Sequence, residues 1–486
     1  MAVTPGSPGQ RRQRGASAIM FALMLVALLG FIGMSLDLGQ AYNRKVELQG
    51  VANIAALAAA HQLNGTAAGV TNGLSKAAAA VAALKYQYNQ QTVSWNDAAV
   101  SFSTSSGGAW IDAAAAQSAP SGLLFAKVDT SKLDGAPGVV DLAFMHILSD
   151  ALASTSVNST AVAGRSRINV APLAVCALSA SAAAPRANPG NTELVEYGFR
   201  RGVGYNLMQL NPNGSSAENF VIDPFDPPGA IGTASNMAPG VVGPYACSGQ
   251  LAIPLISGAP ITVGRPFPLA SLYNQLNSRF DQYAGALCTY ATAPPDANIK
   301  SFLYGSTISW MSTVPGAQGA ASSTYGGKLW TVADPPPGAL SGTTAPMYGP
   351  LWVYARAVPY SSYVPGAPEP AGGYTPFGTS AWSALYQPGP PSATASYPSG
   401  VSTPYKATNG SYFLAPSAAH KGIAGRRVLN IPLLSCPVPA GSTATATVLG
   451  IGKFLMTVPA TATTLYAEFG GLATEQSLGG PVELYP

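Results

Sequence analysis

The chain has 486 residues, of which only 9% are charged, and its formal net charge is +4. An ordinary soluble domain carries about 25% charged residues, so the surface here has to be neutral and polar, built from Ala, Ser, Gly, Thr and Pro. Much of the positive charge sits in Arg11, Arg12 and Arg14, and no basic cluster follows Lys45. That excludes a nucleic-acid binder, which needs a clustered basic face.

The first element is apolar. Ala16 to Leu36 is a run of 21 residues without a charge. At ~1.5 Å per residue it spans ~31 Å, matching the ~30 Å hydrocarbon core of a bilayer. A secretory signal has a shorter apolar region and a small-residue cleavage site, for which Gly33-Met34-Ser35 is a poor match. The run therefore reads as a retained membrane anchor. No later segment competes: VVDLAFMHIL is short and carries Asp141 and His146, and PLAVCALSASAAAP is bounded by prolines. Three arginines precede the span and Asp37 follows it, so the basic tail, 1–14, stays cytoplasmic and the body is exported.

On a helix, Gly15, Ala18, Ala22, Val26, Gly30, Gly33 and Asp37 line one face, and Met20, Met24, Leu28 and Phe31 the other. A stripe of small residues lets helix backbones approach closely in a membrane. Gly and Ala are also simply common in membrane helices, and both readings stand. No proline interrupts the pattern up to the Ala-rich run Ala55–Ala60, and Asn64-Gly65 is a stop signal. The segment 15–65 thus reads as one extended helix, roughly 70 Å long from about Ala16 to Leu63, half in lipid and half in the exported body.

The stretch RGASAIMFALMLVALLGFIGMSLDLGQAYNRKVELQGVANIAALAAA resembles the N-terminal segment of TadG-like Flp pilus-assembly proteins. The resemblance rests on the Arg-Gly start, the Phe-containing span, Asp37 with Gly39 and Tyr42, then Leu48-Gln49 and Ala55 to Ala60. The YGFRRGVGYNLMQLNP and RRVLNIPLLSCPVP stretches of the body are similar to the long TadG-like proteins. The resemblance implies a component of tight-adherence pilus assembly, anchored once in the bacterial inner membrane with a periplasmic body. Its partners would be that membrane and other Tad components, with self-association left open. Prepilins carry Glu five positions after a cleaved Gly; counted from Gly15 that position is Met20. The missing carboxylate favours an assembly factor over a fibre subunit. Some TadG-like proteins carry a metal site written D-x-S-x-S. The nearest string, Asp129-Thr130-Ser131-Lys132-Leu133, lacks the second serine, so neither metal nor cofactor is expected.

Beyond the helix, 66–168 reads as a small α+β module. It comprises a helix over 74–91, strands around Val93–Phe102 and LLFAKVDTS, a helix in VVDLAFMHILSDALAS, and a strand in TSVNSTAVAG. From 169 to 486 the chain reads as a mostly β body with Pro/Gly-rich connections. Strand patterns include INVAPLAVCALS, ENFVID, GQLAIPLI, LWVYARAVPY, RRVLNIPLLS and ATATVLGIGKFLMTVPA, with one helix in PLASLYNQLNSRFDQYAGAL. A Pro/Tyr-rich insertion at about 331–417 carries Trp352, Tyr354, Trp382 and Tyr412, with Trp330 just before it. Its aromatics dock on the body or form a recognition surface, which would make the chain a membrane-tethered adhesin or carbohydrate-binding envelope protein. The fold class is α+β: a long N-terminal transmembrane helix, a small α+β module and a mostly β body.

Four cysteines, Cys176, Cys247, Cys288 and Cys436, lack metal or redox spacing. In an exported chain they read as two disulfides, for which three connectivities are open. Pairing the apolar strands before Cys176 and Cys436 would join those two and leave Cys247 with Cys288. No catalytic pattern emerges. His61, His146 and His420 have no metal spacing, G-x-S-x-G is absent, and GIGKF lacks the remaining residues of a phosphate loop. Asp223 and Asp226 lie among prolines, as turn residues do. Arg200-Arg201 and Arg426-Arg427 read as structural ion pairs, one arginine of each pair on each face, with Glu193, Glu196 and Asp281 as partners. The sequence therefore points to a non-enzymatic protein.

Overall fold

The computed structural model describes residues 13–63, 66–120, 122–188, 190–214, 216–225, 234–253, 256, 260–303, 310, 323–325, 328–331, 348–367, 369–370, 372–386, 394, 397–398, 402–474 and 478–485. The expected stop at Asn64-Gly65, the arginines at 11 and 12, and Asp226 lie outside the described residues. The chain divides into two compact units, Met1–Arg165 with Val482–Pro486, and Ser166–Pro481. The last strand thus leaves the β body in which the pattern placed it, because Val482–Tyr485 pairs antiparallel with Thr160–Arg165. The long helix and the module that follows it also form one unit rather than two segments.

In the first unit, helix α1 (Gln13–Gln62) runs 50 residues without a break. Its second half is Ala-rich because it sits in a tight core. Helix α2 (Ala67–Ala82) turns back on it, with buried Gly69, Val70, Gly73, Leu74, Ala77 and Val81 facing its alanines. A Cβ at Gly73 would stand 3.1 Å from the Ala59 carbonyl oxygen, so the two backbones touch where a larger residue would hold them apart. The four-stranded antiparallel sheet runs Val482–Tyr485, Thr160–Arg165, Phe125–Asp129, Val100–Ser103. Its period-2 pattern turns Val100, Phe102, Ala126, Val128, Ala161 and Ala163 toward the same core.

Two helices expected in this unit are corrected. The helix expected over 74–91 begins at Ala67, where Thr66 accepts a bond from Gly69 N (3.1 Å), and it ends at Ala82. It stops because the Glu47 carboxylate of α1 accepts Gln87 N (2.8 Å) and Tyr88 N (3.0 Å), holding a tight turn between Lys85–Tyr86 and Gln91–Thr92. VVDLAFMHILSDALAS forms no long helix. It makes a ribbon of Val139–Asp141 with Ser154–Ser156 and, between them, the four-residue helix Met145–Leu148. The helical spacing was genuine, but its apolar residues do not share one buried face: Val140 is buried while Phe144 and Ile147 are exposed.

The second unit is built on an eight-stranded sheet: Gly204–Asn206, Tyr466–Ala473, Val448–Met456, Val428–Leu434, Leu173–Cys176, Asn219–Ile222, Ile261–Gly264, Thr443–Ala446. Only the pairing of Val428–Leu434 with Leu173–Cys176 is parallel. Both faces are covered. Leu173, Val175, Ile431, Leu433 and Phe469 face a large aromatic cluster, while Ala174, Cys176, Phe220, Ile222 and Ile261 face an aliphatic one. The helix Leu269–Asn277 packs Leu272 and Leu276 into the aromatic cluster. So do Tyr348, Trp352, Trp382, Tyr386 and Tyr405 of the Pro/Tyr-rich insertion. Trp352 and Trp382 meet edge-to-face at 5.0 Å, Trp352 Nε1 donates to the Tyr386 hydroxyl (2.7 Å), and all three are buried. The GIGKF string lies within the extended Val448–Met456 strand rather than in a phosphate-binding turn.

LWVYARAVPY, with its strand-like pattern, forms no strand; its backbone is held by a side chain instead. Glu468 is fully buried, and its carboxylate accepts Val353 N (2.8 Å), Tyr354 N (2.8 Å) and Ala355 N (2.9 Å). Burial pushes this carboxyl up to about 8, and the three donors pull it only part of the way back. A Glu468→Gln chain presents an amide NH2 where an acceptor is needed, which should cost about 1–3 kcal/mol. The wild-type native state keeps a proton from the usual carboxyl value of 4.5 up to about 8, while the unfolded state loses it near 4.5. This contribution to stability is therefore full below pH 4.5 and is lost as pH rises through about 8. Urea unfolding at several pH values should show that decline in wild type and its absence in Glu468→Gln.

Candidate functional site

The most unusual surface of the protein is α1. From Ala18 to Leu36 every described position except Gly33 is exposed. From Asp37 onward burial becomes one-sided, at Asp37, Ala41, Arg44, Leu48, Val51 and Ala52, then Ala55, Ala56, Ala59 and Ala60. The first stretch is apolar all round, as a membrane span is; the second is an amphipathic helix with one face on a core. The described residues contain one helix long and apolar enough to cross a membrane.

The changeover is built from a few polar side chains of α1, each bonded to backbone of its own unit. Asp37 is 0% exposed, and its Oδ2 accepts Phe144 N (2.9 Å) and Met145 N (2.7 Å), capping the short helix Met145–Leu148. One turn earlier the Phe144 side chain lies against Gly33, where any Cβ would come within 2.6 Å of it. Two turns later Arg44 donates to the carbonyls of Pro137 and Val139, and its guanidinium lies 4.7 Å from the centre of the Tyr86 ring. Gln49 donates to Thr160 O (3.1 Å), and the Lys45 carbonyl accepts from Ser159 Oγ (3.2 Å).

The stripe of small residues is thus divided. Gly33 and Asp37 are taken by the chain itself, whereas Ala18, Ala22 and Val26 are open and nothing lies within 4 Å of a Cβ built at Gly30. Gly15 lies in the first turns of α1. Beyond the span a second apolar stripe stays uncovered: Leu38, Tyr42 and Val46, four residues apart, are 68%, 70% and 53% exposed. Sequence reasoning marked Asp37 as the end of the span. It missed Arg44 and Glu47, and nothing in the local spacing could reveal that Asp37 meets a segment 107 residues away.

Residues 15–62 match the family model described as "Putative Flp pilus-assembly TadE/G-like". The match ends at Gln62, where α1 itself ends. No curated protein and no solved structure matches the chain. Within the TadE/G-like segment, Asp37, Leu48, Gln49 and the Ala55–Ala60 run make the contacts to the first unit, while Tyr42 faces outward.

The other polar groups singled out in the sequence bond within the protein. Arg200 pairs with Glu193 (2.9 Å), which Arg186 also reaches (3.4 Å). Arg201 pairs with Glu196 (2.6 Å) and Glu369 (2.8 Å). Neither arginine of that pair is on an open face: Arg200 is 0% and Arg201 4% exposed. The second arginine pair departs from expectation. Arg427 is buried and donates to the carbonyls of Met456, Thr457, Asn298 and Lys300, beside Phe280 and Phe302, and burial lowers its pKa to about 10. Arg426 donates to the carbonyls of Cys247, Ser248 and Pro294. Asp281 serves neither; it bonds Ser417 N and the His420 ring, which stacks on Tyr290. His61 is exposed, and His146 lies 3.8 Å from Asp150. Asp129 accepts its own Ser131 N and Oγ, and Asp223 bonds Phe225 N and Asn236. The structure joins Cys176 to Cys436 and Cys247 to Cys288.

Asp37→Ala removes the acceptor of two amides and should cost about 0.5–2 kcal/mol. Asp37→Asn keeps one oxygen and should cost less. Hydrogen exchange on the detergent-extracted chain should show Phe144 and Met145 amides exchanging faster in Asp37→Ala, with the Ala55–Ala60 turns unchanged.

Proposed function

We propose that this chain is an inner-membrane component of Flp/Tad pilus assembly, anchored by a single span, with its N-terminus cytoplasmic and its body periplasmic. The role is mechanical rather than enzymatic. α1 holds the chain in lipid and presents uncovered faces to partner helices, while the exported units act as a structural or assembly factor. The observation that carries this reading is the coincidence of the TadE/G-like match with α1, which is apolar all round before Asp37 and locked into the first unit after it. Three further features support it. Arginine precedes the span, as the inside rule requires. Ala18 and Ala22 leave small residues open to another helix. Two disulfides fit an oxidising compartment.

Of the aromatics that an adhesin reading would set against a ligand, Trp352 and Trp382 are buried edge-to-face, while Tyr354 and Tyr412 are half-buried.

Two outcomes test the reading. Deleting the gene should abolish surface pili, scored by electron microscopy, and normal piliation would count against it. Intact mass of membrane-extracted, non-reduced protein should show the Ala16–Leu36 span retained and thiols absent until reduction. A soluble chain lacking its first three dozen residues would overturn the anchor.

A further inference from the structure

The segment that Asp37 caps has a surface of its own. Ile147 is 79% exposed, more than any other large apolar side chain described, and Phe144 is 44% exposed. Together with Met145 they form one wall of an apolar groove of about 500 Å³. The other wall is α1 itself, at Val26, Leu29 and Gly30. Those residues lie inside the apolar span, and Gly33, where Phe144 touches α1, precedes Leu36 by three residues or ~5 Å of helix. If α1 crosses the bilayer, this groove opens into hydrocarbon, and acyl chains are the solvent that fills it.

The backbone of the segment is prepared for that solvent. Lipid offers no hydrogen bonds, so a chain entering it must satisfy its amides internally. Phe144 N and Met145 N donate to Asp37, His146 N to Leu142 O (3.0 Å), and Ile147 N to Phe144 O (3.2 Å). Polar side chains accompany the apolar ones: His146, between Met145 and Ile147, is half-exposed and lies 3.8 Å from the fully exposed Asp150 that follows the segment.

Resting on the anchor reading above, we infer that residues 144–147 are a second membrane contact. They insert beside α1 into the leaflet from which it emerges, with lipid acyl chains filling the groove between them. The first unit is then held to the bilayer at two points, which fixes its tilt about α1.

The test uses the full chain in phosphatidylcholine vesicles. All four native cysteines are in disulfides, so one introduced cysteine is the single thiol to label with the fluorophore NBD. Met24→Cys reports the span, Ile147→Cys the proposed contact, and Lys76→Cys the exposed side of α2. Doxyl-labelled phosphatidylcholine should quench the labels at 24 and 147 and leave that at 76 bright. Quenching at 24 without quenching at 147 overturns the second contact and leaves the anchor standing. No quenching at 24 overturns the anchor and this inference with it. An Ile147→Cys chain recovered as a disulfide-linked dimer, unquenched, assigns the groove to a second copy and also overturns the inference.

Discussion

One uninterrupted helix carries two kinds of surface. From Ala18 to Leu36 it is apolar and exposed nearly all round; from Asp37 onward it is buried on one side against a core. Asp37 marks the change, and a carboxylate at that place is costly unless its charge is met by donors. Here Oδ2 accepts two backbone amides of a segment far away in sequence, while Oδ1 is buried without a hydrogen bond among the described residues. The same contact that makes the charge tolerable therefore also fixes where the first unit sits along α1. Arg44, Glu47 and Gln49 repeat the arrangement further along, each bonding backbone of the unit. The register of the whole first unit on its helix depends on these few polar groups and on alanines too small to allow slack.

The low charge content takes on meaning in this light. A chain with few charged residues has placed many of them inside, where they clamp irregular backbone. Glu468 holds three consecutive amides of the insertion, and Arg427 gathers carbonyls from two separate stretches. Asp296 accepts Arg427 N and Asn298 N. Pro/Gly-rich segments cannot satisfy their own backbone groups as helices and strands do. Buried ionic side chains supply the missing partners, and the aromatic rings of the same segments fill the space around them.

Legibility in the sequence followed the range of the interactions. α1, the sheet strands around Phe125–Asp129, Thr160–Arg165 and Val428–Leu434, and the helix at Leu269–Asn277 announce themselves through local period and composition. Elements fixed by distant partners did not. Gly69 and Gly73 lie within α2, ahead of the helix start expected at residue 74, and Gly73 is what lets the helix touch α1. The 140–152 stretch has helical spacing but is divided by its bonds to Asp37. The helix Pro239–Ser248 was hidden by its prolines and glycines, and the strand Ile261–Gly264 lay unmarked beside it. At the candidate site the lipid-facing run and the terminal aspartate were readable, because hydropathy is a local property. The partners of that aspartate, and the groove beside it, were not.

The connection between the units has a consequence for synthesis. Arg165 and Val482 are paired neighbours on adjacent strands, and Arg167 and Gly480 continue the pairing just beyond. The larger unit is therefore an insertion between two strands of the smaller one. A ribosome delivers α1 first, yet the sheet of the same unit waits for its edge strand until more than three hundred further residues have been translated. Any polypeptide that breaks off within the inserted portion leaves that sheet open along Thr160–Arg165, an unpaired margin that proteases recognise. Completion of the first unit's sheet thus requires that the whole inserted unit has been made first.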